Sequence, residues 1–299
     1  MTVAMRWTDG FIAVDWGTTN RRAYLLDGDG RQRGVFEDSR GALTIPAGGY
    51  ADAAAEIRAR LGDKPMLMAG TIGSNRGWLE VPYVPCPATI EALARGLAWP
   101  GEDIAIVPGV SFLNGDRADV MRGEEVQLLG AFAAGLIPAD CLVCHPGTHN
   151  KWVTLRGGEI ICFRTVMTGE LFNLLAAHSI LSDLLEDDAV PGPAFAEGVR
   201  AGLTGEGLAG DLFAVRARVL LGVAPRGDAS SYASGLLIGS DVAIGLVEGA
   251  RGDIIVIGRP ELTRLYAAAI VEAGARAVEL DGEQGFIAGC ARIAEMMQP

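Results

Sequence analysis

The 299-residue chain predicts an α/β protein made of two duplicated halves. Three observations carry this. A turn is written twice: "VDWGTTNRR" (14–22) and "CHPGTHNKW" (144–152) both read Gly-Thr-x-Asn-basic, with Gly17 and Gly147 separated by 130 positions. Each copy is preceded and followed by an apolar, strand-like run. Each half then alternates helical patterns with short apolar runs, the signature of α/β layers.

The elements follow in order. "FIAVDW", "RRAYLLD" and "QRGVFED" predict three short strands joined by glycine turns. "GYADAAAEIRARL" has apolar residues at helical spacing, and "PMLMAG" is a buried strand that leads into the polar loop "TIGSNRGWLE". A helix near 88–97, the strand "DIAIVPG" and a helix across "RGEEVQLLGAFAAGL" complete the first half. The second half restarts with the strands "CLVCHPG", "KWVTLR" and "EIICFRTV". Helices near 168–185, 210–221 and 230–248 follow, then "DIIVIG", a helix at 261–274, "AVEL" and a last helix at 283–297. The expected division is 1–137, 138–282 and a C-terminal helix, 283–299, packed back on the first domain, with a hinge near 135–140. No GxGxxG follows the first strand, which disfavours a Rossmann domain.

Composition narrows the function. An apolar fraction of 49% with 21% charged residues is globular. The net charge of −12 argues against nucleic-acid and anionic-membrane partners. "MTVAMRWTDG" lacks a signal-peptide core, and the longest apolar stretch is interrupted by Asp241 and Glu248, so a cytoplasmic protein without a membrane span is expected. The five cysteines form no disulfide framework; Cys141 and Cys144, three apart on a strand, point to opposite faces and cannot grip one metal. Lysine is confined to Lys64 and Lys151.

A tight turn carrying Gly and Thr exposes backbone N–H groups and hydroxyls at one tip, an anion cradle of the nest type. Either copy alone reads as an ordinary hairpin turn. Two copies at matching places in matching halves favour a pair of phosphate-gripping tips.

The residues "AVDWGTTNRRAYLL" and "HPGTHNKW" resemble the two phosphate hairpins of the actin, heat-shock chaperone and sugar-kinase superfamily. The fuller resemblance is to the 2-dehydro-3-deoxygalactonokinases, through "DWGTTNRRA", "AGTIGSNRGW", "DVMRGEEVQLLGA", "PGTHNKWV", "FRTVMTGEL" and "SGLLIGSDV". It implies two duplicated actin-like (ribonuclease H-like) domains around an ATP cleft. It also implies transfer of the γ-phosphate of ATP to the 6-hydroxyl of 2-dehydro-3-deoxy-D-galactonate in galactonate catabolism, with Mg²⁺.

Under that resemblance Asp15 would hold Mg²⁺ through water. Gly17, Thr18, Thr19 and Asn20, with Gly147, Thr148, His149 and Lys151, would bind the ATP phosphates. The general base is an acid at the start of the helix in "MRGEEVQLLGA": Glu124 by register, with Glu125 as the alternative. Either carboxylate would also suit a helix N-terminus for electrostatic reasons alone. Sugar-acid contacts fall to Ser74, Asn75, Arg76, Trp78, Arg122, Arg164, Thr168 and Glu170; an arginine fork suits the carboxylate, and Arg76, Arg122 and Arg164 are equal candidates. "VIGRPELTRLY" stands where related kinases carry a glycine-rich adenosine motif, which points to Gly258, Arg259 and Leu262. His145 reads as strand packing and His178 as a helix-face residue. The partners expected are ATP and one small sugar acid, and a homodimer is compatible with the reading. The rivals are a kinase for another sugar or sugar acid and a non-catalytic ATP-binding regulator of the same fold.

Overall fold

A computed structural model of the chain describes residues 7, 9–204, 207–246 and 252–297. It divides into two compact units: 1–140 with 155–162 and 282–299, and 141–154 with 163–281. The expected division at 138–282 differs chiefly at 155–162, a segment grouped with the first unit.

The first unit opens with β1 (Phe11–Trp16), β2 (Arg21–Leu26) and β3 (Gln32–Asp38), followed by α1 (Tyr50–Leu61) and β4 (Met66–Ala69). The chain continues through β5 (Val84–Pro85), α2 (Ile90–Arg95), β6 (Ala98–Gly101), β7 (Ile104–Ile106), β8 (Val110–Asn114), β9 (Arg117–Met121) and α3 (Glu124–Ala133). The main sheet runs β3-β2-β1-β4-β7-β6, and β5, β8 and β9 form a separate small sheet. β1 is antiparallel to β2 and parallel to β4, and so is central. Its run of buried residues is interrupted only by half-buried Asp15, so the one polar residue of the strand is placed for a purpose other than packing. Ile12, Val14 and Trp16 join Met66, Met68, Ala53 and Ile57 in the core.

The second unit repeats this plan. β10 (Cys141–His145), β11 (Asn150–Arg156) and β12 (Glu159–Val166) precede α4 (Thr168–His178), α5 (Pro193–Thr204), α6 (Leu208–Leu220), α7 (Ala229–Leu246), β13 (Ile254–Gly258), α8 (Pro260–Glu272) and β14 (Ala277–Asp281). The sheet order β12-β11-β10-β13-β14 matches β3-β2-β1-β4-β7 strand for strand, and β10, β13 and β14 are parallel, as are β1, β4 and β7. The duplication read from the two turns is thus a duplication of topology.

The last helix, α9 (Gly282–Met296), belongs to the first unit. It docks on β2, where Arg22 and Tyr24 both donate to Glu283, and against α3, where a methyl on Gly289 would lie 2.2 Å from the Val126 carbonyl oxygen.

Several elements depart from expectation. The helix expected over 168–185 ends at His178, and a separate 3-10 turn follows at Ser182–Leu184. α5 was not anticipated, nor were the short strands β5, β6, β8 and β9. The end of the helix expected at 230–248 (residues 247–248) lies outside the described residues.

Candidate active site

In the first unit the β1–β2 turn is closed by the Gly17 N–H donating to the Asn20 carbonyl, 3.0 Å, which leaves Thr18 and Thr19 exposed at the tip. The segment after β3 supports the turn from beneath. The N–H groups of Gly41 and Ala42 donate to the Thr19 and Gly17 carbonyls, each at 2.9 Å. Gly41 lies so close that a methyl there would meet the Thr18 carbonyl oxygen at 2.2 Å. That segment is held in turn by Arg21, 1% exposed, whose guanidinium donates to Asp38, Glu56 and the Ala53 carbonyl and stacks over Trp16. The Asp38 carboxylate, held below the usual range by Arg21 despite its partial burial, also accepts the Arg40 N–H.

Beyond β4 the loop 71–78 lies against the same tip. The hydroxyls of Thr18 and Thr71 share a hydrogen bond, 3.1 Å. The loop is braced by Tyr50, which stacks on Trp78 with ring centroids 6.1 Å apart and whose hydroxyl donates to the Arg76 carbonyl at 3.1 Å. Asn75 and Arg76 are exposed on it, and Ser74 accepts the Arg76 N–H. No side-chain partner of the Arg76 guanidinium is found among the described residues.

The start of α3 lies beside this loop; a methyl on Gly123 would be 3.2 Å from the Gly70 Cα. Glu124 is half-buried and accepts the Arg122 N–H at 3.0 Å. Glu125 has no exposed surface, and both its oxygens accept the Gly123 N–H at 2.8 Å. Burial and the charge of Glu124 push its carboxyl up to about 8, so it is largely protonated at neutral pH. Glu125 is therefore corrected from candidate base to buried helix-start acid. The Arg122 guanidinium lies 4.3 Å from the Tyr83 ring centroid and donates to the Val81 carbonyl, while its Nε and Nη1 are buried without a partner. Its fork is turned into the protein.

In the second unit Thr148 and His149 are exposed at the tip of the β10–β11 turn, and the next two residues turn inward. Asn150 is fully buried and Lys151 is 4% exposed, which matches buried Arg21 in the first copy. The basic residue of the repeated turn is thus buried in each half, and Lys151 lies in the interior and not at the exposed tip where the sequence reading placed it. Asn150 donates to both oxygens of Asp241 at 3.0 Å. Trp152 and Tyr266 donate to the same carboxylate at 2.7 and 2.6 Å, and Thr168 donates to it as well. Burial pushes the Asp241 carboxyl up, opposed by these four donors.

Thr168 and Glu170 also move from their expected place. The Glu170 N–H donates to the Thr148 carbonyl at 2.9 Å, and its carboxylate shares a 2.5 Å hydrogen bond with His149. Both residues therefore belong to the second turn, together with a cavity of about 530 Å³ lined by Gly147, Thr148, Thr168, Phe172, Leu262 and Tyr266, among others. Leu262 was expected at an adenosine site. Gly258 lies next to that turn, a methyl there being 3.4 Å from the Pro146 carbonyl oxygen, and exposed Arg259 precedes α8. Arg164 is exposed on β12 of this unit.

Asp241, Asn150, Gly41 and Tyr50 were missed as site residues. Asn150 left a signal as the Asn of the repeated Gly-Thr-x-Asn turn, and Asp241 left one as the lone carboxylate in the otherwise uncharged run "SGLLIGSDVAIGL". Among the described residues no group of three or more His, Cys, Asp or Glu could hold a metal. The half-buried carboxylate of Asp15 suits a Mg²⁺ that keeps most of its waters and takes its other ligands from phosphates. No helix among the described residues is long and apolar enough to cross a membrane.

Comparison with known proteins gives a consistent picture. The family model for 2-keto-3-deoxy-galactonokinase matches residues 15–293. The chain is 38% identical over 290 residues to the 2-dehydro-3-deoxygalactonokinase of Escherichia coli (strain K12), covering 96% of this chain and 98% of that protein. It is 35% identical over 303 residues to a Rhizobium meliloti (strain 1021) protein provisionally given the same name, covering 97% and 98%. A crystal structure of a Sinorhizobium meliloti protein, provisionally described as the same kinase, superposes with a TM-score of 0.90 at 34% identity, covering 97% of this chain and 99% of that one. The activator of the 2-hydroxyisocaproyl-CoA dehydratase from Clostridium difficile, at TM-score 0.52 and 11% identity, shares the fold alone.

Proposed function

The chain belongs to the 2-keto-3-deoxy-galactonokinase family, and on that premise we propose that it transfers the γ-phosphate of ATP to the 6-hydroxyl of 2-dehydro-3-deoxy-D-galactonate. The observation that carries this reading is the Thr18–Thr71 hydrogen bond, which ties a phosphate-type turn to the loop presenting Ser74, Asn75 and Arg76. A turn built only to sense nucleotide has no need of a polar loop tied to its tip.

Phosphoryl transfer asks for positioning, charge neutralisation and one acceptor for a proton. The exposed N–H groups and hydroxyls of Thr18 and Thr19 suit phosphate oxygens, as do those of Thr148 with His149 beside it. Asp15 would hold Mg²⁺ through water, and the ion would neutralise phosphate charge. Glu124 is the general base: it is partly exposed at the start of α3, whereas the Glu125 proton is locked inside. Arg76 holds the substrate carboxylate, because its guanidinium is exposed and uncommitted, whereas Arg122 is engaged with Tyr83 and Val81. Leu262 and Phe172 line the cavity beside Thr148 and suit an adenosine.

The test is ADP release from Mg·ATP across a panel of sugars and sugar acids, with wild type and Arg76→Ala. Release stimulated by the keto-deoxy acid, with its KM raised about 10- to 100-fold by Arg76→Ala as expected for a lost charge-assisted fork, is the expected result. A neutral sugar that serves as well as the acid would overturn the acceptor assignment. Absence of release with every compound would leave a nucleotide-binding regulator.

A further inference from the structure

We infer that Asp241 is the positioning residue of the nucleotide site: a buried carboxylate that fixes the second phosphate turn against the walls of the adjoining cavity. This rests on the nucleotide reading above and deepens it.

The argument is geometric. Asp241 stands in α7, 1% exposed, and receives donors from three other elements. Asn150 and Trp152 come from β11 just beyond the turn, Thr168 from the start of α4, and Tyr266 from α8. Thr168 and Tyr266 also line the cavity, with Gly147 and Thr148 of the turn. One side chain therefore fixes the turn and two cavity walls at once. The orientation of the Asn150 amide is set independently, because the Cys144 thiol donates to its Oδ1 at 3.4 Å and leaves Nδ2 to face Asp241. Asn and Trp can only donate through these nitrogens, so the group they face must accept. A carboxyl group, with two oxygens, is the side chain at this position that can accept all four.

An asparagine of the same shape keeps one acceptor oxygen and places an NH₂ group against donors. The Thr168 and Tyr266 hydroxyls must then turn to accept from that NH₂, so their own protons lose the acceptor they have in the native chain and the four-donor arrangement is broken. If the carboxylate served the fold alone, the cost of that break would fall on stability and leave the affinity of the folded fraction intact. If it positions the site, the cost reappears as nucleotide affinity.

The experiment is titration calorimetry of Mg·ADP into wild type and Asp241→Asn, with folding followed by circular dichroism. The expected result is a folded Asp241→Asn whose ADP Kd rises about 5- to 100-fold, the equivalent of one unsatisfied partner felt in binding. In steady state the KM for ATP should rise while the KM for the acceptor stays at the wild-type value. Thr168→Val and Tyr266→Phe, which each remove one donor and leave the charge, supply the same readout should Asp241→Asn fail to fold; each should raise the ADP Kd by about 3- to 10-fold. Wild-type ADP affinity in folded Asp241→Asn, or in both single-donor variants, would overturn the positioning role alone. A wild-type chain that binds no ADP would overturn the nucleotide reading as well.

Discussion

Thr18, at the tip of the first turn, and Thr71, at the start of the loop after β4, hold each other through hydroxyl oxygens 3.1 Å apart. Either hydroxyl can donate, so the pair can pass its hydrogen toward whichever side a ligand occupies. Thr71→Val keeps the shape and removes the bond. It should lower kcat about 3- to 10-fold, the range for one neutral hydrogen bond, with little change in ADP affinity. A double-mutant cycle with Thr18→Val should return a coupling of about 0.5–1.5 kcal/mol. Strict additivity would show that the two residues act separately.

Glu124→Gln should reduce kcat by about 10²–10⁴-fold while nucleotide affinity is kept, as expected when a general base is removed. Glu125→Gln should be far milder, since the native carboxyl is already neutral over most of the neutral range. Pre-steady-state phosphate transfer with both variants distinguishes them. A larger loss at Glu125 would reverse the roles assigned here.

Stability should carry the mark of Glu125 as a pH slope. Its carboxyl is raised from 4.5 to about 8 in the folded chain, so between those values the folded state keeps a proton that the unfolded state releases. The contribution of this group therefore falls as pH rises from about 4.5 through 8. Glu125→Gln cannot titrate and should gain in Tm relative to wild type between pH 5 and pH 9. Glu124→Gln, which removes the neighbouring charge, should shift the slope to lower pH. Parallel Tm curves for wild type and Glu125→Gln would contradict the raised value.

Gly41→Ala should act on the turn it supports. Its methyl would stand 2.2 Å from the Thr18 carbonyl oxygen, closer than any real contact, and backbone on both sides offers no flexible group to yield. A loss of about 1–3 kcal/mol in unfolding free energy is expected from overpacking of this kind, together with a raised KM for ATP. Chemical denaturation and initial rates are the measurements; a variant with wild-type kinetics would mean that the turn does not depend on this floor.

Glu170→Gln tests on which substrate the second turn acts. Its sequence context suggested an acceptor contact, whereas its carboxylate is paired with His149 and its N–H with the Thr148 carbonyl. The change should therefore move the KM for ATP and leave that for the sugar acid unaltered. The opposite split would restore the acceptor role.

These residues also show what the sequence could and could not disclose. The two turns were legible because Gly-Thr-x-Asn encodes a local conformation, and the strands that flank them were legible as apolar runs. The direction of a charged side chain was not legible. Lys151 and Arg21 are adjacent to exposed tips yet point inward, because alternation along a strand is decided by the sheet's packing and not by the residue's polarity. Glu125 and Glu124 are neighbours in sequence, and only the three-dimensional surroundings separate a buried acid from an accessible one. α5 was missed because Gly198 and Gly202 lower helix propensity in "PAFAEGVRAGLT". In the fold those glycines admit α7: a methyl on Gly198 would lie 2.1 Å from the Tyr232 carbonyl oxygen, and one on Gly202 2.2 Å from that of Leu236. The strands β5, β8 and β9 are too short to show a period.

The return of α9 to the first unit has a consequence for biosynthesis. A methyl on Gly130 of α3 would lie 2.1 Å from the Gly285 carbonyl oxygen, so this face of α3 is shaped for a helix that the ribosome makes more than 150 residues later. The unit with the Thr18–Thr71 pair therefore cannot be completed until 282–296 has been made, after every residue of the unit with Asp241. A message cut short just before Gly282 should yield a product whose α3 groove stays bare, and limited proteolysis of that product should attack 124–133 first.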